Sequence, residues 1–184
     1  MKTTFDSSPD GAVTAVTVVV VLLVGVIGAA LLVASVNRPA SLGLRIAIGG
    51  SGVVCFAILA ITYGYTPRRF VLSAEDVVVE RGVGNIRIPL RSIRKVEVLS
   101  SEFRPTWRTF GSGGLFGVFG QFASPMGSVT LYGRRSEGGV MLETECGRIV
   151  LRPDEPTALV ESLSAALVKQ RGGTGGPDGP RGEL

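Results

Sequence analysis

The sequence predicts an α+β membrane protein in which a hairpin of two transmembrane helices precedes a seven-stranded antiparallel barrel capped by a C-terminal helix. Three observations predict it: two long uncharged apolar stretches, seven short strand-like runs after them, and one amphipathic segment near the C-terminus. We therefore divide the chain into an N-terminal tail (1–11), a two-span hairpin (12–65), one domain (66–171) and a disordered, Gly/Pro-rich tail (172–184).

The two apolar stretches run from Ala12 to Val36 and from Ile46 to Tyr65. At about 1.5 Å per residue, each forms a helix long enough to cross a hydrocarbon core of about 30 Å. The turn between them is predicted at Asn37-Arg38-Pro39, because proline cannot continue a helix. We expect an integral protein of the cell membrane with two spans in the lipid bilayer.

A two-span hairpin places both termini and the domain on one side of the membrane. Arg68 and Arg69 directly follow the second stretch and favour the cytoplasmic side, whereas Arg38 in the turn favours the opposite orientation. We expect the domain and both termini to be cytoplasmic. Small residues such as Gly25 and Gly52 let helices approach closely, either within the hairpin, which we favour, or across a dimer interface.

Seven short runs after the hairpin predict strands, several of them with alternating apolar and polar residues. They are Phe70–Leu72, Val77–Glu80, Asn85–Pro89, Ile93–Val98, Ser128–Tyr132, Val140–Thr144 and Arg148–Leu151. The next segment predicts a helix that Asp154 caps, with apolar residues three and four positions apart, such as Leu159 and Leu163.

Composition excludes several classes of function. The chain has no histidine, which removes histidine-dependent catalysis and histidine-ligated metals. Glu143 and Glu145 share one strand face, but no other polar group converges with them by sequence, so we assign no catalytic residue, no metal and no cofactor. The sequence has no dense run of Lys and Arg, so nucleic-acid binding is not expected. The two cysteines, Cys55 and Cys146, are interpreted as small buried residues.

Several local sequences carry a more specific resemblance. They are Tyr65-Thr66-Pro67 before the first strand, Ile88 to Ile93, Gly111 to Gly117, Val129 to Tyr132, and Arg152 to Pro156 before the helix. In these segments, and in seven strands followed by a helix, the chain resembles a bacterial pleckstrin-homology (PH)-like domain family with a transmembrane anchor, over roughly Thr66 to Leu167. The resemblance implies a barrel whose open end the helix plugs, and a binding or scaffolding module instead of an enzyme.

One segment departs from the lipid-binding members of the wider PH group. Phosphoinositide-binding PH domains carry basic residues around their first strand hairpin. Here that hairpin tip, Ser73-Ala74-Glu75-Asp76, is acidic, so inositol-phosphate recognition there is not expected.

The connection from Ser100 to Met126 is the segment most suited to carry function, because loops of this length in compact domains are usually functional or disordered. It holds the single tryptophan, five phenylalanines and interleaved arginines. Its candidate lipid or partner contacts are Arg104, Trp107, Arg108, Phe110, Leu115, Phe116 and Phe119. We favour the interpretation in which most of these aromatic side chains fold back and close the barrel. In the first alternative, Leu115, Phe116 and Phe119 form a wedge that enters the bilayer. In the second, the segment docks a membrane protein.

These observations predict a non-enzymatic membrane protein whose cytoplasmic PH-like domain binds the membrane surface, with anionic lipid as a candidate, or a membrane-protein partner, as an adaptor or regulator. The alternative is a structural subunit that self-associates through this domain into a homo-oligomer.

Overall fold

A computed structural model of the chain describes residues 2–100, 103, 107–124 and 127–173. The described residues form three α-helices, a 3-10 turn at Leu90–Ser92 and ten strands. The helices are α1 (Gly11–Asn37), α2 (Leu42–Tyr65) and α3 (Pro156–Gly173). The strands are β1 (Thr3–Asp6), β2 (Pro67–Leu72), β3 (Asp76–Arg81), β4 (Ile86–Pro89), β5 (Ile93–Leu99), β6 (Trp107–Gly113), β7 (Val118–Ser124), β8 (Gly127–Gly133), β9 (Gly139–Thr144) and β10 (Gly147–Arg152). The tail predicted to be disordered lies, from residue 174 onward, outside the described residues.

The two long helices, α1 and α2, form the predicted hairpin. Both are long and apolar enough to cross a membrane, and only 6% of the most apolar window of each is buried in the protein. They approach closely at Gly28 and Gly52, where a Cβ on Gly52 would lie 2.9 Å from the Gly28 carbonyl oxygen. Gly25, in contrast, faces open space. Close approach therefore occurs within the hairpin, through a glycine pair.

The hairpin is inserted between two neighbouring strands of the same sheet. β1 precedes α1 and pairs antiparallel with β2, which follows α2. Phe5 of β1 lies opposite Phe70 of β2, and both rings are buried in the core of the domain. The segment treated above as an N-terminal tail thus contributes a strand and a core residue to the domain.

All seven predicted segments are strands, but the prediction of a seven-stranded antiparallel barrel is wrong. The strands form two open sheets, in the orders β1-β2-β3-β4 and β5-β9-β10-β8-β7-β6. Two of the three additional strands, β6 and β7, come from the glycine-rich connection, and the third is β1. The pair β8–β10 is parallel, because β10 returns between β9 and β8.

The apolar residues divide between two clusters. The larger is formed by β1–β5, β9, β10 and α3, and Leu159 and Leu163 of α3 are fully buried in it, as the helix pattern predicted. The smaller is formed by β7–β10 together with Val13 from the first turn of α1. Because α1 begins inside this second cluster, the base of the hairpin is part of the packed domain.

A polar network fixes the start of α1 to the turn between β8 and β9. The Asp10 carboxylate caps α1 by accepting from the Val13 backbone N–H at 2.8 Å, and it also accepts from the Ser136 backbone N–H at 2.6 Å and from the Ser136 hydroxyl. Burial raises the pKa of Asp10, but the bonds from Ser136 and Val13 and the charge of Arg135 outweigh it, so the pKa lies below its usual value. The carboxylate stays ionised and holds the two segments together.

A buried arginine continues this network. The Arg152 side chain is fully buried, and its guanidinium donates to the carbonyl oxygens of Gly138 and Arg135, each at 2.9 Å. The Arg152 carbonyl oxygen in turn accepts from the Ser7 hydroxyl at 2.7 Å. Burial lowers the pKa of Arg152 to about 10, while the charges of Asp10 and Glu137 oppose the change. Arg152 therefore connects β10, the β8–β9 turn and the segment before α1.

Candidate functional site

The turn between β6 and β7 lies against both helices where they join the domain. The Phe116 backbone N–H donates to the Thr17 hydroxyl oxygen of α1 at 2.9 Å, and this hydroxyl donates to the Gly114 carbonyl oxygen at 3.3 Å. The Phe116 ring meets the Tyr63 ring of α2 edge to face, with 5.3 Å between centroids. The β6–β7 hairpin is therefore fixed at the end of the domain from which the helices emerge.

A groove opens beside this turn, between the last two turns of α2 and the outer face of β6–β8. We call it the α2 groove. Its volume is about 620 Å³, within the range of about 300–1,000 Å³ typical of small-molecule sites. It is lined by Ile61, Thr62, Tyr65, Arg81, Phe110, Gly111, Ser112, Phe119, Gly120, Gln121, Thr130 and Tyr132. As far as the structure describes it, the lining is mainly apolar and contains one charged side chain.

Strand register explains why these side chains share one face. Phe119 of β7 lies opposite Tyr132 of β8, and Gln121 lies opposite Thr130. Side chains alternate along a strand, so the intervening residues of β8, including Leu131, point into the smaller core cluster instead. The sheet between α2 and this cluster thus has one packed face and one face that lines the groove.

Arg81, at the end of β3, supplies the charge. Its guanidinium lies over the Tyr65 ring, 5.4 Å from the centroid, and both its Nε and its Nη2 donate to the Gly84 carbonyl oxygen. Burial raises the pKa of Tyr132, and the charge of Arg81 opposes this effect. The Arg81 cation is therefore close enough to interact electrostatically with the Tyr132 phenol in the groove wall. Among the lining residues that are described, no carboxylate balances it.

Two glycines allow the backbone of β6 and β7 to form the groove beside Phe110. Gly111 and Gly120 are opposite each other and have φ of +116° and +120°, which disfavour any side chain. A Cβ on Gly120 would lie 2.2 Å from the Phe110 carbonyl oxygen. The glycines are thus required by the close approach of the two strands.

The predicted contact residues have different surroundings. Phe110 and Phe119 line the groove; the Phe110 side chain is 77% exposed, and Phe119 is half-buried. Leu115 and Phe116 are half-buried in the turn that the helices hold. Trp107 and Arg108 belong to β6, although their side chains, like all of Arg104, lie outside what the structure describes.

Other groove residues were not predicted as contacts. Thr130 and Tyr132 could have been found, because the alternation of the Ser128–Tyr132 strand places them on one face. Tyr65 and Arg81 belong to a helix and a strand that are not adjacent in sequence, and nothing in the sequence indicates that they meet.

Residues weighed for other chemistry are in ordinary surface positions. Glu143 pairs with Arg148 at 3.4 Å and Glu145 with Arg94 at 3.5 Å. Cys146 is exposed, so its interpretation as a buried residue is wrong; it lies in the tight turn between β9 and β10. Within the described ranges, no cluster of three or more His, Cys, Asp or Glu residues suits a metal ion.

A family model described as the bacterial PH domain matches residues 68–167, which is more than half of the chain and extends from β2 into α3. The comparison with curated proteins finds no match.

Proposed function

We propose that this protein, which belongs to the bacterial PH domain family, is a non-enzymatic, membrane-anchored binding module that acts as an adaptor or regulator. In this proposal the two apolar helices cross the cell membrane, and the domain stays on the side where β1 and β2 pair, which we expect to be the cytoplasm. Its ligand lies at the boundary between membrane and water.

One observation carries the proposal: the α2 groove opens at the end of the second apolar helix. If α2 spans the bilayer, Tyr65 and the nearby Tyr63 lie where aromatic residues gather at the membrane–water interface. Arg68 adds a cation there, 5.0 Å from the Tyr63 ring centroid. The groove is then open to lipids and proteins at the membrane surface. The hydrogen bond between the Phe116 turn and α1 keeps the groove at this position.

A second candidate function is the structural subunit. It is favoured by β6, which ends the six-stranded sheet and carries the exposed Phe110. An open strand edge of this kind can pair with another chain, including a second copy.

Photo-crosslinking in intact membranes tests the proposal. Phe110 is replaced by the photoreactive p-benzoylphenylalanine in the full-length chain, which is then irradiated in native membranes. Because the position is exposed and lines the groove, we expect a specific adduct with lipid or with another membrane protein. The adduct is identified by mass spectrometry.

The matched control carries the same amino acid at Val98, which is also exposed but lies on β5, at the other edge of the six-stranded sheet. Adducts at position 110 and not at 98 support a ligand at the groove. Dimer-sized adducts containing two copies of this chain support the structural subunit. Equal labelling at both positions, or none at 110, contradicts the proposal.

A further inference from the structure

We propose that the α2 groove holds one anionic phospholipid of the adjacent bilayer, with its phosphate on Arg81 and one acyl chain between α2 and the phenylalanines of β6 and β7. This inference rests on the proposed function, since it names the ligand of the same site. Phosphoinositide-binding PH domains recognise lipid near their first strand hairpin, whose tip in this chain is the acidic segment Ser73–Asp76 at the start of β3. The α2 groove lies at the other end of β3, beside Arg81.

The apolar walls are suited to a hydrocarbon chain. Ile61 lies on one side of the groove, and Phe110 and Phe119 lie on the other. Phe110 is exposed, so covering its ring with apolar surface removes that area from water and is favourable. A bilayer in contact with α2 supplies hydrocarbon at this point without a separate partner.

The charge distribution favours an anionic headgroup. Arg81 is the one ionised side chain among the lining residues that the structure describes. Two of its guanidinium nitrogens donate to the Gly84 carbonyl oxygen, which fixes its position over Tyr65. Its third nitrogen, Nη1, has no hydrogen-bond or ion-pair partner within the described part of the chain. An arginine fixed in this way binds phosphate oxygens well, since its N–H groups form charge-assisted hydrogen bonds.

The polar groups of the lining lie with the cation. Thr130 adds a hydroxyl group, and Tyr132 adds a phenol close enough for the charge of Arg81 to act on it. These groups can donate to the glycerol or phosphate oxygens of a lipid. A groove whose described lining has apolar walls, these two hydroxyl groups with no acceptor in the described part of the chain, and one cation matches an amphipathic anion better than it matches an apolar peptide.

The test is native mass spectrometry of the full-length protein, taken from detergent micelles with added phosphatidylglycerol or phosphatidylcholine. We expect one phosphatidylglycerol to be retained per chain, with phosphatidylcholine binding at least about tenfold more weakly, since it carries no net negative charge. Arg81→Gln is expected to reduce phosphatidylglycerol affinity roughly tenfold, which is the effect of losing one charge-assisted hydrogen bond.

Two further variants test whether the apolar walls of the α2 groove hold the acyl chain. Thr130→Trp fills the groove and should abolish retention, while Phe110→Ser should weaken it severalfold without affecting folding, because the Phe110 side chain is exposed. Arg87→Gln and Val98→Ser are the matched controls, since both residues are exposed and neither lines the groove; both should bind like the unchanged protein.

The outcomes are separable. If Arg81→Gln and Phe110→Ser retain phosphatidylglycerol as well as the unchanged protein does, or if phosphatidylcholine binds equally well, the lipid inference is overturned. If no lipid is retained while position 110 still crosslinks to another membrane protein, the lipid inference is overturned but the binding module remains. No lipid and no crosslink at 110 overturn both.

Discussion

Gly120→Ala is expected to lower the thermal unfolding temperature of the full-length protein in detergent by about 6–12 °C. Its Cβ would overlap the Phe110 carbonyl oxygen at 2.2 Å and approach the Gly111 Cα at 2.7 Å, while φ at this position is +120°. Backbone atoms of a paired strand cannot move aside as the end of a flexible side chain can. Overlap and strain together should cost on the order of 3 kcal/mol, and about 2–4 °C per kcal/mol gives the stated range for a chain of this size.

Gly147→Ala is the matched control, because Gly147 has a similar φ of +125° but no atom within 4 Å of an added Cβ. It measures backbone strain alone and should lower the unfolding temperature by about 2–4 °C, as roughly 1 kcal/mol of strain requires. Circular dichroism follows both transitions. Equal losses for the two variants would show that the close approach of β6 and β7 does not matter for stability.

Arg152→Met is expected to lower the unfolding temperature by about as much as Gly120→Ala does. Methionine replaces most of the buried volume but leaves the carbonyl oxygens of Gly138 and Arg135 without their donor. Both bonds are partly buried, and each acceptor that loses its partner in such a place costs about 1–3 kcal/mol. Hydrogen exchange should also speed up in the turn between β8 and β9, because that turn is held by the guanidinium.

Arg87→Met is the control for this experiment. Arg87 is exposed on β4, so the same substitution there should change the unfolding temperature by less than about 2 °C. An Arg152→Met protein as stable as the unchanged one, with unchanged exchange in the β8–β9 turn, would contradict the role given to the buried arginine.

Much of the domain was predictable because its strands are encoded locally. The alternating run around Ile86 and Ile88 and the β-branched run around Val77 and Val79 are strands, and their apolar side chains are buried or half-buried against one core. The C-terminal helix followed from its apolar spacing, because Leu159 and Leu163 repeat at the helical period. In these segments local pattern and tertiary packing agree.

The three unpredicted strands lack such a pattern. β1 is only four residues long, Thr3–Asp6, and its partner β2 lies beyond both long helices, so its pairing depends on the hairpin bringing the chain back. β6 and β7 contain glycines that normally weaken strands, and here Gly111 and Gly120 are tolerated because the two backbones meet at that point. Both cases depend on contacts between segments, which periodicity cannot reveal.

The candidate site was only partly predictable for the same reason. Phe110 and Phe119 were found because the aromatic, glycine-rich segment is unusual in composition. Tyr65 and Arg81 were missed because each has an ordinary local role, at a helix end and at a strand end, and their contact arises from the fold. Composition therefore indicated the segment, and the fold identified its partners across the groove.

In the topology that we propose, the hairpin crosses the membrane and returns the chain to the sheet it left, so that β1 and the domain share one side. Labelling with a membrane-impermeant maleimide tests it, using vesicles of both orientations and a Cys55→Ala background. The native Cys146 is exposed and reports the domain. Lys2→Cys and Ser41→Cys, each with Cys146→Ser, report the N-terminus and the turn between the helices, where both residues are exposed.

We expect Cys146 and Lys2→Cys to react from the cytoplasmic face, and Ser41→Cys to react only from the opposite face. Reaction of Ser41→Cys from the same face as Cys146 would show that the hairpin does not cross. Reaction of Lys2→Cys and Cys146 from opposite faces would contradict the pairing of β1 with β2, which requires both segments on one side of the membrane.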